Sequence, residues 1–274
     1  MLIDLHCHTT CSDGTLTPQQ LLARAELNDV NMLSITDHDS VSCYEQLKDY
    51  AGPVHIVPGT ECSTQILSTN VHILGLNIDP LHQSMTTLQN QQAQHRINRA
   101  ERMDAQLTKL GMPGAYAGAQ AQANNAVVGR PHFAQWLIEQ GYCKTNQQAF
   151  TRWLGQGKPG YVKQLWVNPD EVIEAIQASG GSAVLAHPAD YKLTLSKLTR
   201  LIERFKALGG IGLEVLNGSQ SQAVTAKLSS LARKHCLLAS MGSDFHGPHQ
   251  QWIELGMHQA LPAGLEPVWD SFGL

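Results

Sequence analysis

Met1-Leu2-Ile3-Asp4-Leu5-His6-Cys7-His8 begins the chain and is the stretch from which its fold can be predicted. The apolar residues predict a short strand that ends in two histidines. Because side chains alternate between the two faces of a strand, His6 and His8 point to one face and Cys7 points to the other. Two imidazoles on one face can share a metal ion, and their burial without a partner would be costly. Asp13 follows in the next loop, and Thr36-Asp37-His38-Asp39 ends the next strand. These polar residues at the ends of two strands predict a metal site.

Length and composition are those of an ordinary globular protein. The 274 residues allow one large domain or two small ones, and 42% of them are hydrophobic. No apolar run approaches the roughly 20 residues that a membrane helix needs, and the N-terminus has no signal-like segment. We therefore expect a cytoplasmic protein. The six cysteines contain no C-x-x-C pair, which argues against a disulfide framework and excludes a zinc ribbon.

The net charge of −4 is unevenly distributed along the chain. Residues 92–163 carry nine Lys or Arg and three Asp or Glu, which gives this segment +6 and the remainder −10. A basic segment within an acidic body predicts that the segment faces an anion. For Arg96, Arg99 and Arg102 we favour a simpler interpretation, a solvated helical face.

Strand and helix patterns alternate over most of the chain. Strands are predicted at residues 2–8, 32–36, 55–57, 71–77, 182–186, 212–216 and 237–241, with helices between most of them. This alternation predicts a parallel sheet, open or closed as a barrel. Residues 81–164 have mainly helical patterns and interrupt the alternation. We expect residues 1–80 and 165–274 to form one metal-binding barrel, with 81–164 inserted as a helical subdomain.

Six histidines and three carboxylates lie mostly where predicted strands end. They are His6, His8, Asp13, His38, Glu61, His72, His187, Asp244 and His246. In parallel α/β barrels the carboxyl ends of the strands form the functional face. A lone strand histidine is usually structural, but nine independent structural roles at one edge would be improbable. Mixed imidazole and carboxylate ligands suit Mn, Fe or Zn. Nine ligands suit two or three ions, with Glu61 bridging, which bind phosphoryl groups and generate hydroxide near neutral pH.

The order of these motifs resembles the PHP (polymerase and histidinol phosphatase) family. The ordered set is H-x-H, Asp, T-D-H-D, G-x-E, an interior His, A-H-P and S-D-x-H, and it extends across nearly the whole chain. The resemblance implies an α/β fold, a distorted (β/α)7 TIM-like barrel with an inserted, mainly helical subdomain. It also implies two or three divalent metal ions. Mn is the favoured metal, and Fe, Zn or Mg are alternatives. The implied ligands are His6, His8, Glu61 and Asp244 for one ion, Glu61, His72 and His187 for a second, and Asp13, His38 and His246 for a third.

Two segments of the insertion resemble one branch of that family. Val128-Gly129-Arg130-Pro131-His132-Phe133-Ala134 and Gly155-Gln156-Gly157-Lys158-Pro159-Gly160-Tyr161-Val162 are similar to segments of 3′,5′-nucleoside bisphosphate phosphatases and RNase AM. The resemblance implies a hydrolase that removes the 3′-phosphate of nucleoside 3′,5′-bisphosphates to give the 5′-monophosphate, or trims short RNA from 5′ to 3′, through metal-bound hydroxide.

The insertion supplies candidate catalytic and substrate-binding residues. Arg130 can hold a phosphate with its bidentate fork. His132 would bind phosphate or donate a proton, or alternatively only begin a helix. Lys158 would be a second anion contact or a solvated lysine. Glu214, near the barrel, is given a structural or supporting role.

Two other functions remain open from the sequence. One is a histidinol-phosphate phosphatase with the same metals, and the other is a non-catalytic metal-bound module associated with a polymerase. The expected partner is a nucleotide or a short single-stranded RNA. Stable duplex binding is not expected, because affinity for duplex depends on many phosphate contacts and most of the chain is acidic.

Overall fold

The computed structural model describes residues 1–123, 128–163, 165–256 and 260–273, which form two compact units. The first unit comprises residues 1–89 and 167–274, and the second comprises residues 90–166. The boundaries differ from the expected ones at 80/81 and 164/165. The first difference arises because Met85 and Leu88, in the first turns of a long helix, pack into the core of the first unit.

The strands and helices of the described residues are numbered in chain order. The strands are β1 (Ile3–Cys7), β2 (Met32–Ile35), β3 (His55–Ile56), β4 (Gly59–Ile66), β5 (Thr69–Leu76), β6 (Ser182–Leu185), β7 (Gly212–Asn217) and β8 (Leu238–Gly242). The helices are α1 (Pro18–Leu27), α2 (Cys43–Gln46), α3 (Gln83–Lys109), α4 (Ala115–Ala123), α5 (Arg130–Glu139), α6 (Asn146–Ala149), α7 (Pro169–Ala178), α8 (Leu195–Ala207) and α9 (Gln222–Lys234).

The strands form two sheets of mixed character. The smaller sheet has the order β1-β2-β3 and is parallel, and the larger has the order β4-β5-β6-β7-β8. In the larger sheet β5 is antiparallel to both β4 and β6, whereas β6, β7 and β8 are parallel. The α/β class is as expected, but the all-parallel sheet is wrong, and the described strands do not pair into one closed barrel.

A tight turn accounts for the antiparallel pair. Leu67 and Ser68 connect β4 to β5, with φ angles of 48° and 65°. Positive φ at both positions of a two-residue loop is typical of a type I′ hairpin, whose twist matches the strands on either side. The usual signal for such a turn is Asn-Gly or Asp-Gly. Leu-Ser is not such a pair, so the sequence does not predict this hairpin.

Buried polar contacts fix β1 beside the segment that follows β8. Asp4 is buried, and its carboxylate accepts hydrogen bonds from the backbone N–H of Ser243 (2.9 Å) and of Gly256 (2.9 Å). The His8 N–H donates to the Phe245 carbonyl at 2.9 Å. A Cβ on Gly242 would meet the His6 Cβ at 2.3 Å. Glycine at this position therefore allows the two backbones to approach closely.

The second unit has a helical core of its own. Met103 and Leu107 of α3 are buried in one cluster with Phe133 and Leu137 of α5. Within residues 90–166, the described part contains no strand. Among all the described residues, no helix has the length and hydrophobicity needed to cross a bilayer.

Candidate metal centre

The first unit brings all nine candidate ligands together. His6 lies in β1 and His8 directly follows it, both are fully buried, and their ring centroids are 5.2 Å apart. Cys7 faces away from them, and its thiol donates to the Ser34 carbonyl at 3.3 Å. The alternation of faces predicted for this strand is therefore confirmed.

Glu61 lies at the centre of the cluster. It is the third residue of β4, a strand that the sequence did not predict, and only 1% of it is exposed. Its Oε1 lies 2.9 Å from His72 Nδ1 and 2.8 Å from His187 Nε2. Its Oε2 lies 3.3 Å from His6 Nε2 and 3.2 Å from His8 Nε2. The two carboxylate oxygens therefore face two different pairs of imidazoles.

The charge of Glu61 is maintained by its neighbours. Burial alone would raise the pKa of this carboxyl, but the imidazoles of His38, His72 and His6 hold it well below its usual value. His38 Nδ1 is 3.0 Å from Glu61 Oε2. Glu61 is therefore a buried carboxylate anion that contacts several imidazoles.

Asp244 completes the group around His6 and His8. Its Oδ1 lies 3.3 Å from the Nε2 atoms of both histidines. Burial would raise the pKa of Asp244, but the adjacent imidazoles of His6 and His8 hold it well below its usual range. Asp244 has φ 55° and His187 has φ 25°, both in the left-handed region that non-glycine residues rarely adopt. Such backbone strain is concentrated at functional sites.

Asp13 lies at the more exposed side of the cluster. Its carboxylate is 3.4 Å from His246 Nε2, 3.7 Å from His38 Nε2 and 3.8 Å from His8 Nδ1. Just over half of its side chain is exposed to solvent. These four residues have donor atoms within 4.8 Å of one another, which is close enough for one ion.

The antiparallel direction of β5 explains the position of His72. In the sequence this histidine lies near the beginning of its strand, unlike the other candidates. Ile73 pairs with Leu185, the last residue of β6, and the Ala186 N–H donates to the His72 carbonyl at 3.1 Å. The beginning of β5 therefore lies at the same edge as the end of β6, where His187 is found.

Glu214 supports the cluster from β7. It is fully buried, and its Oε1 lies 2.9 Å from His6 Nδ1. Its Oε2 accepts from the His187 N–H at 2.5 Å and from Asn217 Nδ2 at 3.1 Å. A carboxylate that accepts from one imidazole nitrogen fixes the tautomer and directs the lone pair of the other nitrogen towards a metal. The sequence predicts a structural or supporting role for Glu214 without choosing between the two, because a single Glu within a strand carries no motif.

Asp37 holds the loop that carries Asp13. Its carboxylate accepts from the Thr9 N–H at 2.7 Å, from Thr9 Oγ1 at 2.6 Å and from Ser12 Oγ at 2.6 Å. These hydrogen bonds give Asp37 a structural role.

The donor set fits divalent ions. Six buried ring or carboxylate atoms in the cluster have no hydrogen-bond partner among the described residues: His6 Nε2, His8 Nδ1 and Nε2, His38 Nδ1, Glu61 Oε2 and His187 Nδ1. Buried polar atoms are rarely left in this state, since each costs free energy. Imidazole nitrogens and carboxylate oxygens are ligands for Mn, Fe and Zn. Divalent ions held between these side chains would satisfy these atoms.

The second unit contains the candidate substrate contacts. Arg130 is the first residue of α5, and the Gly129 N–H donates to His132 Nδ1 at 3.0 Å, so His132 does begin a helix. Lys158 is exposed. Arg102 is exposed as expected, but Arg99 is half-buried and its Nε donates to the Val162 carbonyl at 3.0 Å. A fully solvated face for Arg99 is therefore wrong.

Comparisons with known proteins agree with the architecture. Residues 4–150 match the family described as the PHP domain. The 5′-3′ exoribonuclease Rnm of Salmonella typhimurium is 42% identical over 99% of this chain and 94% of its own length. The 3′,5′-nucleoside bisphosphate phosphatase of Chromobacterium violaceum is 36% identical over 97% of this chain and 95% of its own length. A solved structure from the same organism, described as an amidohydrolase with bound sulfate and no metal, has a TM-score of 0.87 and 35% identity, covering all of this chain and 96% of that one.

The fold and the cluster of imidazoles and carboxylates are those of a metal-dependent hydrolase. The chain belongs to the PHP domain family.

Proposed function

We propose that this chain is a metal-dependent phosphoesterase that removes the 3′-phosphate of nucleoside 3′,5′-bisphosphates, trims short RNA from 5′ to 3′, or does both. The observation that carries the proposal is the set of buried imidazole and carboxylate atoms that converge without hydrogen-bond partners among the described residues. The substrate class comes from relatives named as an exoribonuclease and a bisphosphate phosphatase, each similar along almost its full length. Sulfate in the solved relative is an anion of the same shape as phosphate.

The nine residues divide into three groups of ligands. His6, His8, Glu61 and Asp244 would hold one ion, and the distances of 3.2–3.3 Å from their Nε2 atoms to the carboxylate oxygens support this group. Glu61 would bridge to the next ion through Oε1. The second group is Glu61, His72 and His187, and the third is Asp13, His38 and His246, with His8 Nδ1 nearby. Two or three divalent ions suit this mixture of nitrogen and oxygen donors, and Mn is the favoured metal.

Residues of both units have roles in the proposed reaction. When bound, divalent ions supply Lewis acidity and lower the pKa of water towards neutrality. Glu214 fixes the His6 tautomer by accepting from Nδ1. Arg130 offers a planar fork of donors that matches a phosphate. His132 Nδ1 accepts from Gly129, so the neutral ring carries its proton on Nε2, where it can donate to phosphate or to a leaving oxygen. Lys158 would be a further contact for an anion.

The architecture suggests how the site and the specificity are divided. We infer that the two sheets are parts of a distorted (β/α)7 barrel. Two isolated bridges support this inference. Cys7 of β1 pairs with Phe245, which follows β8, and His38, which follows β2, pairs with Glu61 of β4, so each bridge connects the two sheets. The helical unit would provide substrate specificity, as its basic composition suits an anionic nucleotide.

Phosphate release from matched substrates tests the proposal. Protein loaded with Mn²⁺ is incubated separately with adenosine 3′,5′-bisphosphate, 5′-AMP, histidinol phosphate and a short 5′-phosphorylated RNA. We expect release from the bisphosphate with 5′-AMP as product, or shortening of the RNA from its 5′ end, and little release from the other two substrates. Release chiefly from histidinol phosphate would replace the nucleotide assignment. No turnover of any substrate would contradict the enzyme assignment and favour a non-catalytic module.

A further inference from the structure

The pairing of β5 with β6 ends at a side-chain hydroxyl, beside two of the candidate ligands. Ile73 pairs with Leu185, so His72 and Ala186 are the next residues opposite each other. In an antiparallel sheet, opposite residues alternate between pairs that exchange two direct backbone hydrogen bonds and pairs that exchange none. Here one bond is direct, from the Ala186 N–H to the His72 carbonyl at 3.1 Å. The His72 N–H donates instead to the Tyr191 hydroxyl, also at 3.1 Å.

The Tyr191 hydroxyl takes the place of the second direct bond. It accepts from the His72 N–H and donates to the Ala186 carbonyl at 2.8 Å. A hydroxyl has one proton to donate and lone pairs that accept, so a single group can serve both strands. Direct pairing would place an N–H nitrogen about 2.9 Å from a carbonyl oxygen. Two hydrogen bonds in series hold this end of the two strands farther apart.

The two strand ends that this hydroxyl links carry His72 and His187, which both contact Glu61. His72 lies in β5, and His187 directly follows Ala186. His72 Nδ1 and His187 Nε2 are 3.2 Å apart, and they lie 2.9 Å and 2.8 Å from Glu61 Oε1. The ligands of one ion must meet at a common point, roughly 2.0–2.2 Å from each nitrogen or oxygen atom. The separation of the strand ends therefore determines whether both imidazoles can reach the same ion.

The loop after His187 holds Tyr191 in position. The Asp190 N–H donates to the His187 carbonyl at 3.0 Å, which closes a turn over residues 187–190 and places Tyr191 beside β5. The Tyr191 ring meets the His187 ring edge-on, with centroids 5.6 Å apart. The tyrosine also packs against the apolar core of the first unit. Contacts at both the ring and the hydroxyl leave this side chain little freedom to move, so it can act as a spacer of fixed length.

We propose that Tyr191 is a positioning residue whose hydroxyl sets the separation of His72 and His187, and thereby the affinity of the ion that they share with Glu61. The hydroxyl is bonded to backbone groups on both sides, so it acts through the histidines and not as a ligand. The inference rests on the proposed function for the grouping of these three ligands, but it requires no particular substrate. The sequence motifs do not include Tyr191, because its hydrogen-bond partners are backbone groups.

Metal binding to the full chain tests the role of the hydroxyl without any substrate. Tyr191→Phe removes the hydroxyl and keeps the ring that packs against His187. Tyr50→Phe is the matched control, because the Tyr50 hydroxyl also accepts from a backbone N–H, that of Val54 at 3.1 Å, and donates to Glu26 at 2.8 Å. Competition with a fluorescent chelator gives a dissociation constant for each Mn²⁺ or Co²⁺ ion. The visible absorption of bound Co²⁺ reports its coordination, and urea denaturation of metal-free protein measures stability separately.

A second variant identifies the ion that Tyr191 affects. His72→Gln removes one ligand of the group that contains Glu61 and His187, so it should weaken the same ion as Tyr191→Phe. The variant with both changes should bind this ion no more weakly than His72→Gln does. The separation of the two histidines no longer matters once one of them is absent, and the effects of residues that act through one contact are not additive.

The expected result is a loss of affinity for one ion in Tyr191→Phe. Binding of this ion should weaken about tenfold or more, as it does when other residues that orient metal ligands are removed, and its Co²⁺ absorption should change. Tyr50→Phe should match the unaltered chain in both measurements. Equal metal affinity in Tyr191→Phe and Tyr50→Phe, or equal weakening of every ion in Tyr191→Phe, would overturn the proposal. A further loss of affinity when Tyr191→Phe is added to His72→Gln would also overturn it. A chain that shows the expected metal binding without turnover would contradict only the proposed function.

Discussion

At the scale of single residues, Glu61 and Glu214 give the site its geometry. Glu61 directs one oxygen towards His72 and His187 and the other towards His6 and His8. Glu214 contacts His6 Nδ1 and the His187 backbone from the opposite side. One buried carboxylate thus lies among the imidazoles of the cluster, while the other orients two of the residues that would bind metal ions.

Replacement of Glu214 by glutamine should weaken metal binding without unfolding the chain. Glutamine has nearly the same volume, and its amide oxygen can still accept from His6 Nδ1, but it lacks the negative charge of the carboxylate. Loss of such a supporting carboxylate typically costs 10–100-fold in metal affinity. Competition with a fluorescent chelator measures the change. Glu203→Gln, at an exposed position on α8, is the control, and equal metal affinity in the two variants would contradict a positioning role for Glu214.

His8 should release a proton when a metal ion binds. Burial would lower its pKa, but the carboxylates of Asp244 and Glu61, 3.3 Å and 3.2 Å from its Nε2, raise it to about 10 in the metal-free protein. The imidazole is therefore protonated at pH 7 and must lose its proton to bind a metal. Calorimetry at pH 7 in two buffers of different ionisation enthalpy measures the release. An enthalpy of binding that is independent of the buffer would contradict this prediction.

The same pKa shift predicts how the stability of metal-free protein depends on pH. The folded-state pKa of His8 lies above its ordinary value of 6.5. The protonated form therefore stabilises the fold fully below about pH 6.5, and this contribution is lost as the pH rises towards 10. Urea unfolding of chelator-treated protein should show the contribution as a difference from His8→Gln that shrinks between pH 6.5 and pH 10. A difference that stays constant over this interval would contradict the assignment.

At the scale of secondary structure, the site depends on the close approach of β1 and β8. Gly242 lies against His6, and the Asp4 carboxylate joins β1 to the segment that follows β8. The ligands on β1 and those after β8 are brought together by this contact. Any side chain on Gly242 would push the His6 backbone away from Asp244.

Gly242→Ala should therefore reduce both stability and metal binding. The added Cβ would lie 2.3 Å from the His6 Cβ and 2.7 Å from the His6 backbone nitrogen. Overpacking of this kind costs about 1–3 kcal/mol. Urea denaturation measures the free energy of unfolding, and metal analysis measures the bound ions. An alanine variant with unchanged stability and full metal content would show that the strands do not need this approach.

Most strands were predictable because their signal is local. The predicted strands at 32–36, 182–186 and 212–216 overlap β2, β6 and β7, since short apolar runs next to turn residues specify them. The β4–β5 hairpin was not predictable, because Leu67 and Ser68 adopt positive φ without the residues that favour it. Similarly, the nine candidate ligands could be named from motifs, but the burial of Arg99 depends on packing among distant helices.

At the scale of the whole molecule, two kinds of charge are kept in separate units. Imidazoles and carboxylates that suit cations are gathered in the first unit, and three arginines line a cavity of the second. The excess positive charge of residues 92–163 was visible in the sequence. Its concentration at one cavity was not visible, because sequence spacing does not reveal which arginines of separate helices meet.

Metal removal should lower the thermal stability of the chain. Buried ring nitrogens of the cluster lack hydrogen-bond partners among the described residues, so ions that bind the folded state alone should stabilise it. An ion at 100 times its dissociation constant contributes roughly 2.7 kcal/mol. Differential scanning calorimetry should show a melting temperature that rises with Mn²⁺ concentration. His8→Ala should respond less than His55→Ala, a change at an exposed histidine, and an identical response would contradict the location of the ions.

Bound metal and phosphate release, measured on the same preparation, test most directly whether this chain is a metal-dependent phosphoesterase. Protein purified without chelator is analysed for metal ions per chain by mass spectrometry and then assayed with adenosine 3′,5′-bisphosphate. We expect two or three ions per chain and turnover in the unaltered protein and in His55→Ala. In His8→Ala we expect fewer ions and turnover reduced by more than the roughly 100-fold typical of supporting residues. Full metal content and full phosphate release in His8→Ala would show that His8 does not bind a catalytic metal ion.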